Sequence, residues 1–108
     1  MAIHELRIYE AVPGKLPALH DRFRQITSKL FAKHGIKQVA YWDVVVGTSN
    51  QLYYILEWES LAEREVKWEA FLADPEWQAA RAKTEAEGPL VARVVNMFLK
   101  PTDYSPLK

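Results

Sequence analysis

The sequence predicts an α+β domain in which a four-stranded antiparallel sheet carries its helices on one face. Three observations predict it. Residue types alternate over strand lengths at four places, apolar residues recur at helical steps between them, and the order is strand, helix, strand, strand, helix, strand. A chain of 108 residues holds one core of that kind, and it is small enough to gain from a partner subunit.

The first strand reads HELRIYEA from His4, with Glu5, Arg7 and Tyr9 on one face and His4, Leu6 and Ile8 on the other. Val12 to Pro17 is a turn feeding a helix, because Gly14 permits unusual backbone angles and Pro17 suits only a first helical turn. That helix runs to about His34 on an apolar stripe of Leu16, Leu19, Phe23, Ile26 and Leu30, and Gly35 ends it. Ile36 to Val46 is a β-branched and aromatic strand, GTSN from Gly47 is turn chemistry, and Gln51 to Trp58 returns as the other half of a hairpin. Ser60 and Glu63 form a capping box that opens a helix from Leu61 to about Ala73. Asp74 and Pro75 open another, to about Ala86, which Gly88 and Pro89 close. Leu90 to Leu99 is the last strand. With right-handed crossovers this order gives the ferredoxin-like βαββαβ arrangement over residues 1–100, followed by a tail over 101–108 that holds two prolines and no periodicity. The uncovered sheet face is too apolar to leave in water, so a second copy is expected to cover it.

Composition excludes several classes of function. Fourteen basic and fourteen acidic residues leave no net field for nucleic acid or an anionic membrane. No cysteine means no disulfide, thiolate nucleophile or iron–sulfur cluster, and fits a reducing cytoplasm. The N-terminus carries no targeting pattern and no apolar run approaches eighteen residues, so the chain reads as soluble and unprocessed. Glycine-rich phosphate loops and hydrolase elbows are absent. His4, His20 and His34 are scattered without metal-ligand spacing, so no metal and no cofactor is expected, although one histidine suffices to ligate a haem. The mixed-sign segment from Glu57 to Lys67 reads as a solvated helix face with Glu63 and Lys67 paired.

The sharpest candidate site is the row Glu5, Arg7 and Tyr9, with Asp43 and Glu57 as carboxylates on adjacent strands. Arg7 could hold an anion by its planar fork, Tyr9 could donate to a developing oxyanion, and a desolvated Glu57 or Asp43 could act as base. Tyr41, Trp42, Tyr53, Tyr54 and Asn96 are the candidate ligand contacts. The alternative is that Arg7 pairs with a carboxylate across strands, and that the aromatics only fill the core and interface. The row is expected on the face covered by the second subunit, with His4 turned toward the helices.

HELRIYEAVPGKL near the start, HGIKQVAYWDVVVGTSNQLYYILEWESLAERE in the middle and FLADPEWQAARAK toward the end together resemble the NIPSNAP family. The similarity runs from about Glu5 to Leu99. It implies the dimeric α+β barrel, in which two sheets face one another around a cavity. It brings no agreed reaction. Related barrels include cofactor-independent monooxygenases and isomerases, an analogy at the level of fold. The expectation is a homodimer, or a higher homo-oligomer, that binds a small aromatic or acidic molecule in the barrel cavity. A non-enzymatic interaction or scaffold module is the alternative.

Overall fold

The structure is a computed structural model and describes residues 2–107; Met1 and Lys108, the outer ends of the expected domain and tail, lie outside it. Its strands are β1 (Ile3–Ala11), β2 (Lys37–Asp43), β3 (Gln51–Trp58) and β4 (Val91–Leu99). They form one antiparallel sheet in the order β2-β3-β1-β4, with β1 pairing to both β3 and β4. This is the ferredoxin-like α+β arrangement. The helices are α1 (Leu16–Arg22), α2 (Ser28–Lys33), α3 (Leu61–Ala73) and α4 (Pro75–Thr84), and they lie against one face of the sheet.

The helix expected to run unbroken to about His34 contains a π-helical turn, Phe23–Thr27, between α1 and α2. That turn accommodates an extra residue, so the buried stripe shifts from Leu19 and Phe23 to Thr27, Leu30 and Phe31, leaving Ile26 partly buried. Gly35, at a φ of 69°, reverses the chain after α2. Its N–H donates to the Ala32 carbonyl and that of Ile36 to the Phe31 carbonyl, which satisfies the last open turn. β2 stops at Asp43 rather than Val46, because its partner strand begins at Gln51 and no backbone remains to pair with. Val45 and Val46 therefore stand 95% and 93% exposed in the loop. The capping box behaves as expected: the Glu63 N–H donates to Ser60 Oγ at 3.0 Å, and α3 spans Leu61–Ala73. Asp74 caps α4 by accepting from the Glu76 N–H at 2.8 Å.

The core sits between sheet and helices. Leu52, Tyr54, Leu56 and Trp58 of β3 are buried there against Leu19, Phe23, Phe31 and Phe71. By strand alternation the opposite face carries His4, Leu6 and Ile8 of β1, Trp42 of β2, Tyr53, Ile55 and Glu57 of β3, and Met97 of β4. Trp42 and Met97 are 48% and 40% exposed on it. No helix among the described residues is long and apolar enough to cross a membrane.

Candidate functional site

Glu5, Arg7 and Tyr9 lie on the helix-covered face of β1, not the open one. Glu5 is fully buried and meets Arg64 of α3, and Arg7 lies 4.5 Å from the centroid of the Trp68 ring, also of α3. His4 is correspondingly turned away from the helices, beside Glu57 at 3.4 Å. This corrects the expected orientation. A polar row normally faces water, but here an arginine 59 residues away in sequence reaches back over the strand and makes burial affordable.

The chemistry of the row starts at Glu5. Its carboxylate accepts from Arg7 Nη1 at 2.8 Å, Arg64 Nε at 3.1 Å and Nη2 at 3.2 Å, Asn96 Nδ2 at 2.9 Å and Trp58 Nε1 at 3.1 Å. Burial opposes its ionisation, yet the bonds from Arg64 and Asn96 and the charge of Arg7 prevail and hold its pKa below the usual value. Burial likewise opposes charge on Arg7, while the Tyr54 and Tyr9 oxygens and Glu5 raise its pKa. Arg7 Nε donates to Tyr54 Oη at 2.8 Å and Nη2 to Tyr9 Oη at 3.2 Å, so every nitrogen of the guanidinium is engaged.

Tyr54 is fully buried, and burial together with the nearby Tyr9 pushes its pKa well above the ordinary phenol value despite the Arg7 charge. It stays a hydroxyl, and its hydrogen goes to Tyr9 Oη at 2.8 Å. Tyr9 Oη thus accepts from both Arg7 and Tyr54, which leaves its own hydrogen free. Tyr9 is half-buried, and it forms with Arg7 part of the wall of a cavity of about 270 Å³ between sheet and helices. Trp68, Phe71 and Trp77 supply a flat apolar wall, and Arg22, Arg81 and Glu85 a polar one. Val94 of β4, 44% exposed, also lines the cavity, so its mouth lies beside that edge strand.

The other sequence candidates divide between places. Tyr54 and Asn96 belong to the Arg7 network. Tyr41 stacks on Tyr54 with ring centroids 5.1 Å apart and turns its hydroxyl to Gln38; burial, with Tyr9 nearby, raises its pKa. Asp43 is not at Arg7 but at a separate cleft, bonded at 2.6 Å to Nε2 of His20. Glu57 lies on the open face, where the 2.9 Å hydrogen bond from Lys37 lowers its pKa. Neither carboxylate is placed to serve as a base beside Tyr9. Trp42 and Tyr53 line a shallow depression of the open face with Leu6. Among the described residues no three His, Asp or Glu side chains gather as a metal site.

Arg22, Arg64, Arg81 and Glu85 escaped the sequence reading. Arg64 sat in a segment read as solvated, though Arg64, Trp68 and Phe71 follow helical spacing and all face the sheet. Arg22 lies three residues after Leu19 on a stripe otherwise apolar, which was the one available signal.

The NIPSNAP family model matches residues 4–106. A NIPSNAP-like domain protein from Burkholderia xenovorans is 28% identical, with 97% of this chain and 89% of that chain covered and a TM-score of 0.86. A NIPSNAP family protein from Agrobacterium tumefaciens is 26% identical over the whole of both chains, with a TM-score of 0.90. A candidate antibiotic biosynthesis monooxygenase from Chloroflexus aurantiacus shares the fold at 16% identity and a TM-score of 0.60. No curated protein matches the sequence. With its family model spanning nearly its whole length, the chain belongs to the NIPSNAP family.

Proposed function

We propose that this chain binds a small molecule in the cavity between sheet and helices, with a flat apolar body against Trp68, Phe71 and Trp77 and an oxygen facing Tyr9. The observation that carries this reading is the free hydrogen of the Tyr9 hydroxyl. Arg7 and Tyr54 fill the acceptor capacity of that oxygen, and the cation behind it makes Tyr9 a stronger donor toward the cavity. The volume, about 270 Å³, lies just below the ~300–1,000 Å³ range of ligand pockets and suits a molecule of one or two rings.

Cofactor-independent oxygenation or isomerisation would require a proton to be taken from carbon. The carboxylates around this cavity are committed, Glu5 to four side chains and Glu85 to two arginines. The residues support binding, and polarisation of a bound oxygen, more directly than proton abstraction. A second copy of the chain covers the open sheet face in this reading, which leaves the cavity inside each protomer rather than between the two sheets. The alternative, a non-enzymatic interaction or scaffold module, would leave this cavity without a ligand.

Tryptophan fluorescence titration with 2-acetylnaphthalene, a flat uncharged ketone, tests the reading. Saturable quenching is expected, weakened about tenfold in Tyr9→Phe by loss of one donor to the carbonyl. Absence of saturable binding, or equal affinity in Tyr9→Phe, contradicts it.

A further inference from the structure

Arg22 presents a donor edge that nothing among the described residues satisfies, and the Nε half of it is buried. The residue is 5% exposed, and its guanidinium lies 5.1 Å from the centroid of the Trp77 ring. Nη1 donates to Glu85 Oε2 at 2.8 Å and to Thr84 Oγ1 at 3.3 Å. Nε is buried without a partner, and Nη2 makes no hydrogen bond among the described residues. In a planar guanidinium, Nε and Nη2 form the side edge whose two parallel N–H groups match the oxygens of a carboxylate. A buried donor left unpaired is costly, and buried polar groups in folded proteins are nearly always satisfied. Arg22 also lines the cavity that holds Tyr9.

Charge points the same way. Arg22 and Arg81 share one oxygen of Glu85, and Arg7 and Arg64 share Glu5. Four guanidiniums face two carboxylates, a formal excess of two positive charges in and just behind the cavity wall. Arg7, the expected anion anchor, has each nitrogen already engaged, whereas Arg22 has two nitrogens without a hydrogen-bond partner among the described residues.

We infer that the molecule bound in this cavity is a small organic acid, and that Arg22 seats its carboxylate side-on while the apolar body lies against the tryptophans. The inference rests on the cavity reading above and adds to it the chemical class of the ligand. Trp77 and the bonds to Glu85 and Thr84 hold the guanidinium in place before the acid arrives, so little side-chain freedom is lost on binding.

The test is calorimetric titration of the full chain with 2-naphthoate and 2-naphthamide, which share one flat body and differ in the charge. The acid should bind about tenfold or more tighter than the amide, as expected for hydrogen bonds to a charged group. Arg22→Lys keeps a positive charge for Glu85 but lacks the planar fork, and should bring the two ligands within about threefold of each other by weakening the acid alone. Circular dichroism melting reports whether that variant is folded; if it is not, the comparison in the unsubstituted chain decides. Equal affinities for acid and amide in the unsubstituted chain, or undiminished naphthoate binding in folded Arg22→Lys, would overturn the inference. If the amide or 2-acetylnaphthalene still binds in those cases, the cavity reading stands; if none of the three binds, both fall.

Discussion

Glu5 is a fully buried carboxylate ringed by Arg7, Arg64, Asn96 and Trp58, and it holds together strands β1 and β4, the end of β3 and helix α3. A charge so placed is stable only while its partners remain, and removing it leaves the buried Arg7 guanidinium and that of Arg64 with no carboxylate between them. Glu5→Gln should therefore lower unfolding free energy by about 3 kcal/mol or more, read from urea denaturation; a loss under about 1 kcal/mol would show the network to be slack. The folded-state pKa of Glu5 lies below its ordinary value, so its contribution is complete above that value and is lost as pH falls through the lower one. The residues of this site were legible in the sequence, but their direction was not. Alternation along HELRIYEA separates two faces without saying which meets the helices, and Arg64, which decides the matter, lies far off in the chain.

At the scale of elements, the caps and the hairpin followed local rules and were readable. Ser60 with Glu63 and Asp74 with Pro75 fixed the starts of α3 and α4 because both signals act within one turn. Less visible was that Asp74 also ties the end of α2 to the start of α4, accepting from Lys33 Nζ at 2.9 Å and lying 2.7 Å from His34 Nε2. Those two bonds and that from the Glu76 N–H lower its pKa from the usual 3.8 to about 2. The sign is that of a depressed carboxyl: its stabilisation is full above pH 3.8 and is lost as pH falls through about 2. Asp74→Asn keeps a capping oxygen but not the charge. It should melt at lower temperature at pH 7 and lose less stability than the unsubstituted chain between pH 4 and pH 2; parallel acid profiles would contradict this. The π-helical turn had no such local signal, since FRQIT fits an α-helix equally well and the extra residue is set by packing of Phe23 and Phe31 against Tyr54.

For the whole molecule, the layer order came from the alternation of strands and helices, and it gave one helix-covered and one open face while assigning the two faces of β1 to them the wrong way round. Leu6, Ile8, Tyr53, Ile55 and Met97 share that open face, a surface suited to a second copy. Analytical ultracentrifugation should give twice the 12.5 kDa chain mass, and Ile55→Asp should give the single-chain mass with the helix-side cavity intact. A monomeric unsubstituted chain would refute the pairing. The four tryptophans report where a small molecule binds. Trp68 and Trp77 line the cavity, Trp58 is buried against Glu5 and is not part of that lining, and Trp42 stands on the open face. In a proton–nitrogen NMR titration with 2-acetylnaphthalene, the indole N–H signals of Trp68 and Trp77 should move while that of Trp42 stays; movement of Trp42 alone, or of none, would contradict the account.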